Sequence, residues 1–131
     1  MTPTNNQIHK ALYSRLADAA LGYTIIPTSV GGAPPDTGVW LETSFFSNQP
    51  LDNALGYDSG IVPRGIFQVA CVGRKADRLE AIYTASEAIH ALYAKGTTLT
   101  GQVRVVRQPY DMELEIESDR LMVVVSIEYS G

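Results

Sequence analysis

Apolar residues recur at helical spacing in two places along the chain. In Asn5–Leu21, Ile8, Leu12, Leu16 and Ala19 form one stripe, widened by Ala11 and Ala20, with Lys10, Ser14 and Asp18 opposite. Thr4 or Asn5 can cap this helix and Gly22 can end it. The second stripe runs through Leu79, Ile82, Tyr83, Ile89, Leu92 and Tyr93. Asp77 stands where an N-cap or first-turn carboxylate belongs, and Gly96 gives a stop signal after Lys95. Directly before it, Ile66–Val72 is apolar on both alternating faces, with Gln68 the one polar member. That run suits an interior strand covered on both sides.

Period-two patterns predict the other strands. Val39–Ser47 sets Trp40, Glu42, Ser44 and Phe46 on one face and Leu41, Thr43 and Phe45 on the other. Gln102–Gln108, Met112–Glu117 and Leu121–Tyr129 follow the second helix, separated by turns at Pro109–Asp111 and Ser118–Arg120. Short turns between successive strands predict an antiparallel meander. Tyr23–Ile26 is short and apolar and stops at Pro27. The next segment, with Gly31-Gly32 and Pro34-Pro35, is turn-rich. The element order predicts an α+β fold: a mostly antiparallel sheet with two helices packed on one face, in a single domain spanning 1–131.

Asn48–Pro63 reads as a second long connection, rich in Asn, Asp, Gly and Pro. A connection of this length is uncommon inside a domain and is usually functional or disordered. Leu51, Leu55, Tyr57 and Ile61 give it apolar anchors, with Asp52, Asn53 and Asp58 between them. These seven residues form a candidate interface loop, folding onto its own domain or onto a neighbouring subunit.

Charge narrows the partners. The chain has 131 residues, a net charge of −4 and 18% charged residues, below the usual share of about 25%. Low charge leaves more surface for uncharged interface. Arg74, Lys75 and Arg78 cluster locally, but the acidic whole disfavours a nucleic-acid clamp. The opening MTPTNNQIHK shows no signal-peptide pattern, and no apolar run approaches the roughly 18 residues of a membrane span.

Candidate chemistry is sparse. His9 and His90 have no ligand partner at helical spacing, and Cys71 is the one thiol, set in an apolar strand. There is no G-x-S-x-G elbow and no phosphate loop after Gly31-Gly32. No cofactor, metal or catalytic residue is expected. Glu113, Glu115 and Glu117 would project from one strand face, roughly 7 Å apart. Such a row is a solvated face, countered by Arg104, Arg107 or Arg120, or an acidic ladder lining a channel, where it would keep DNA from sticking; a paired-carboxylate site ranks third, because no acid–base partner or pocket is implied.

With these elements in order, several local patterns resemble the tail-terminator or tail-completion proteins of long-tailed bacteriophages. They are VWLETSFF, the strand RGIFQV, the helix start Ala76-Asp77-Arg78-Leu79, the strand Val103–Val106 and the closing Met122–Tyr129. The resemblance implies a non-enzymatic virion component that forms a homo-oligomeric ring, typically a hexamer, on the head-proximal end of the tail. The ring would stop tail-tube polymerisation and present the surface for head–tail connector proteins. It would assemble in the host cytoplasm, away from any membrane. DNA would pass through its channel unread, with Glu113, Glu115 and Glu117 as channel-facing candidates. A head–tail connector or neck protein is the alternative. A small-molecule-binding α+β domain or enzyme, with the long connection as a lid, is the alternative from another class.

Overall fold

The computed structural model describes residues 3–28, 31–35, 38–52, 61–74, 79–112, 114–116 and 120–131. Its elements are α1 (Asn5–Asp18), β1 (Thr24–Pro27), β2 (Trp40–Asp52), β3 (Ile61–Arg74), α2 (Leu79–Leu92), β4 (Thr98–Thr100), β5 (Val103–Val105), β6 (Tyr110–Asp111), β7 (Glu115–Ile116) and β8 (Arg120–Ser130). The fold is α+β, with the strands in the order β1-β2-β3-β8-β5-β4 and with β6 and β7 also on β8. All pairings are antiparallel except β1 with β2.

Local sequence explains both helices. Thr4 caps α1 through a capping box: its hydroxyl accepts from the Gln7 N–H, and its own N–H donates to the Gln7 side chain. The helix stops before Gly22 because Ala20 already lies in the left-handed region, at φ 50°. Ile8, Leu12 and Leu16 bury against the sheet, as do Ile82, Ala85 and Ile89 of α2. Both helices therefore lie on the face formed by Leu41, Phe67, Val69, Val123, Val125 and Ile127. Each large aliphatic buried there contributes about 1.5–3 kcal/mol over exposure. Asp77 falls outside the described residues.

Four features depart from the sequence reading. First, Thr24–Pro27 is a strand, parallel to β2, although Pro27 interrupts its pattern. Second, β2 and β3 run far past the expected ends, pairing out to Asp52 and Ile61. The polar Asn48–Asp52 run lacked a strand pattern, but a slip in register between Asn48 and Leu51 lets the ladder resume. Third, β3 is interior but not covered twice. Its helix-free face leaves Ile66, Gln68 and Ala70 half-buried. Fourth, the expected meander is one interrupted strand. β5, β6 and β7 pair in succession with the length of β8, so Tyr110 and Asp111 continue a ladder where a turn was expected.

Two buried tyrosines close the core with opposite polar bookkeeping. The Tyr93 hydroxyl donates to the Leu12 carbonyl at 2.5 Å and ties α2 to α1. Arg15 Nε adds a 2.7 Å bond to the Leu92 carbonyl. The Tyr129 hydroxyl is buried without a hydrogen-bond partner among the described residues. It sits beside Gly65, where a Cβ would collide with it and with the Phe46 carbonyl oxygen. Tyr93→Phe should therefore lose about 1–2 kcal/mol in urea unfolding, while Tyr129→Phe should be neutral or stabilising. Equal losses from the two variants would refute this assignment.

Candidate interaction surface

Among the described residues both sheet edges are only half covered. On the outer side of β2, β1 pairs with Trp40–Thr43, and the Thr28 N–H and hydroxyl each bond the Thr43 carbonyl at 2.9 Å. From Ser44 to Asp52 that side has no partner strand among the described residues. A groove of about 390 Å³ opens there, lined by His9, Pro27, Thr28, Ser44, Phe45 and Phe46. The His9 ring lies 5.2 Å from that of Phe45, which stacks in turn on Tyr129. At the opposite edge β4 covers β5, whereas β6 and β7 have no outer neighbour strand among the described residues.

Exposed apolar side chains collect on these uncovered stretches. Of the seven large hydrophobics exposed among the described residues, Phe46, Val106, Tyr110, Met112 and Ile116 lie there. Leu79 and Tyr83 lie on α2. Ile116, the most exposed at 66%, belongs with Met112 and Leu114 to the apolar half of the alternation in Met112–Glu117. One extra residue between Asp111 and Glu115 takes Met112 off the face of Ile116, which stands opposite Leu121 at the sheet edge, and sequence spacing carries no signal for such a bulge. Phe46 did carry a signal: it is an apolar residue that follows Glu42 and Ser44 on their face of the strand.

The helix-free face is held by charge and aromatic contacts. Trp40 is buried against Ile26 and Val72, and Arg74 lies 5.1 Å over its ring. Trp40 Nε1 donates to Glu42 Oε2 at 3.0 Å, and Arg120 approaches the same oxygen at 3.8 Å. Arg107 meets Glu128 at 3.2 Å and lies 4.8 Å over the Tyr110 ring. Trp40 is thus a packing residue with a satisfied indole.

Of the candidate interface residues, Leu51 and Asp52 are in β2 and Ile61 is in β3, where Asp52 pairs with Ile61. Asn53, Leu55, Tyr57 and Asp58 lie outside the described residues. Glu115 is exposed on β7, opposite Met122 on β8. Glu113 and Glu117 lie outside the described residues, so no three-carboxylate row can be traced.

One polar cluster brings reactive residue types together. His90 Nε2 lies 2.8 Å from Asp111 Oδ1, and Ser86 Oγ lies 3.3 Å from Asp111 Oδ2. The carboxylate stands between the hydroxyl and the imidazole, whereas an activated serine needs its base on the hydroxyl. The cluster is a clasp between α2 and β6. Cys71 is fully buried, and burial, followed by the Asp111 charge, pushes its thiol up to about 12. Among the described residues no group of three or more His, Cys, Asp or Glu could hold a metal ion. No described helix is long and apolar enough to cross a membrane.

A family model described as phage tail terminator protein matches residues 7–129. A solved structure designated only by a sequence identifier is similar with a TM-score of 0.79, covering 98% of this chain and 96% of that one at 20% identity. At that identity the likeness shows the fold alone. No curated protein matches this sequence.

Burial fixes how the chain should respond to alkali. Cys71 and Tyr129 are both pushed up to about 12 from 9.0 and 10.0, chiefly by desolvation, and Tyr93 is raised further. The unfolded chain therefore loses these protons first, so stability holds below about pH 9 and falls as pH rises towards 12. Urea midpoints measured from pH 7 to 11 should show this decline. At pH 8 a thiol reagent should label Cys71 only after denaturation; fast labelling of the native protein would contradict its burial.

Proposed function

Since the chain belongs to the phage tail terminator family, we propose that it closes into a ring on the head-proximal end of the tail tube. The ring ends tube polymerisation and presents the surface on which head–tail connector proteins dock. It is a structural part of the virion tail, assembled in the host cytoplasm, and performs no catalysis. Six copies of one domain spanning 1–131 form the ring.

The observation that carries this reading is the pair of edges at opposite ends of one sheet that are uncovered among the described residues, each bearing exposed apolar residues. A ring needs a heterologous contact, in which one surface of a subunit meets a different surface of the next. Two unlike edges supply both halves. The side chains of the clasp and of Cys71 serve packing, which supports a structural role over an enzymatic one.

In this reading Leu51, Asp52, Asn53, Leu55, Tyr57, Asp58 and Ile61 contact the next subunit or the tube. Glu113, Glu115 and Glu117 face the channel, where like charge keeps the passing DNA from binding.

The direct test adds the protein to polymerising tail-tube subunits and measures tube length by negative-stain microscopy. Capped tubes with a ring at one end are expected. Unchanged growth would reject a terminator and favour a neck protein. Reversal of Glu113 and Glu117 to Lys should impair DNA passage, read as infectivity, while ring assembly persists. Full infectivity in that variant would remove the channel role.

A further inference from the structure

The two sheet edges are stepped, and the steps match in level. Following the ladders across the sheet, Thr24 stands opposite Trp40, then Val72, Met122 and finally Glu115. So β1 projects from one edge at the level where the other edge, at β7, is uncovered among the described residues. In the same way Thr98 follows Arg104, Ser130 and Arg64 to Asn48. So β4 projects from the far edge at the level where β2 is uncovered among the described residues.

We propose that a second copy of this chain docks here in a lap joint, a contact that deepens the ring reading above and rests on it. With both copies in the same orientation, β1 of one enters the step beside β6 and β7 of the next. The neighbour's β4 enters the step beside β2. The two short strands then share the width of a single strand, end to end. The strand directions run antiparallel at the first step and parallel at the second, both permitted in a mixed sheet.

The occupant follows from the pairing of levels and from what lines the steps. Phe46 lies on one uncovered stretch, and Val106, Tyr110, Met112 and Ile116 lie on the other. Exposed apolar surface concentrated this way marks a contact. The contact rests on these side chains more than on main-chain bonds. Pro27 has no N–H to offer, and its carbonyl already accepts the Gly31 N–H at 2.9 Å. A β1 edge so blunted resists addition of an arbitrary strand. Each copy gives one edge and receives the other, so the joint is heterologous and can close into a ring.

Cysteine pairing tests this. In a Cys71→Ala background, Thr24→Cys and Glu115→Cys place two thiols at exposed positions on opposite edges, about 19 Å apart across four strand spacings. That separation rules out a disulfide within one chain. The protein, assembled on tail tubes, is oxidised and run on a denaturing gel. The double variant should give a ladder of covalent multimers, and each single variant should give none. Dimers from a single variant would indicate a self-complementary contact and overturn the joint. Rings seen by microscopy without a ladder would overturn the joint and leave the ring reading intact. Absence of rings would overturn both. As an independent check, Met112→Lys at an exposed position should keep the melting temperature but raise the concentration needed for assembly at least tenfold. Unchanged assembly would count against the joint.

Discussion

The pairing of β3 with β8 is the contact on which the rest of the molecule depends. Its eleven successive residue pairs, from Arg64 with Ser130 to Arg74 with Arg120, run without a slip in register. That continuity keeps Phe67, Val69 and Cys71 on the same face as Val123, Val125 and Ile127. A one-residue slip would turn one of these sets toward solvent. The helices dock on the face so defined, and the outer strands take their levels from it. Gly65 matters because its missing side chain leaves room for Tyr129 at one end of this pair.

The strongly periodic parts of the fold were legible in the sequence. Ile8, Leu12 and Leu16 lie in the core as their spacing implies, and so do Ile82 and Ile89. The alternation in β2 gives its two faces correctly. What spacing does not carry is the fate of irregular strands. β1 gains its place from the ladder with β2, not from any propensity of a short run ending in proline. β5, β6 and β7 look like separate strands because bulges break their alternation, yet β8 holds them along a single line. Tertiary pairing decides both cases.

The candidate surface was legible in part. The sequence pointed to Asn48–Pro63 as the contact region, but both ends of that segment are ladder, as the pairing of Asp52 with Ile61 shows. On the far edge the alternation of Met112–Glu117 groups Met112, Leu114 and Ile116 on one face, because a two-residue period assumes an unbroken strand. The extra residue between Asp111 and Glu115 instead puts Met112 and Ile116 on different faces. Their exposure became visible only with β8 in place.

β8 also follows every other strand in the sequence while sitting in the middle of the sheet. During synthesis, β1, β2 and β3 can form one ladder and β4 and β5 another, but among the described residues no strand pairing joins the two until β8 leaves the ribosome. The hydrophobic core therefore closes after translation of this region, not progressively alongside it. Contacts so distant in sequence slow folding and leave apolar strand faces exposed in the meantime. In a crowded host cell, newly made subunits would pass through a stage in which chaperones, as well as assembly partners, compete for the same apolar surface.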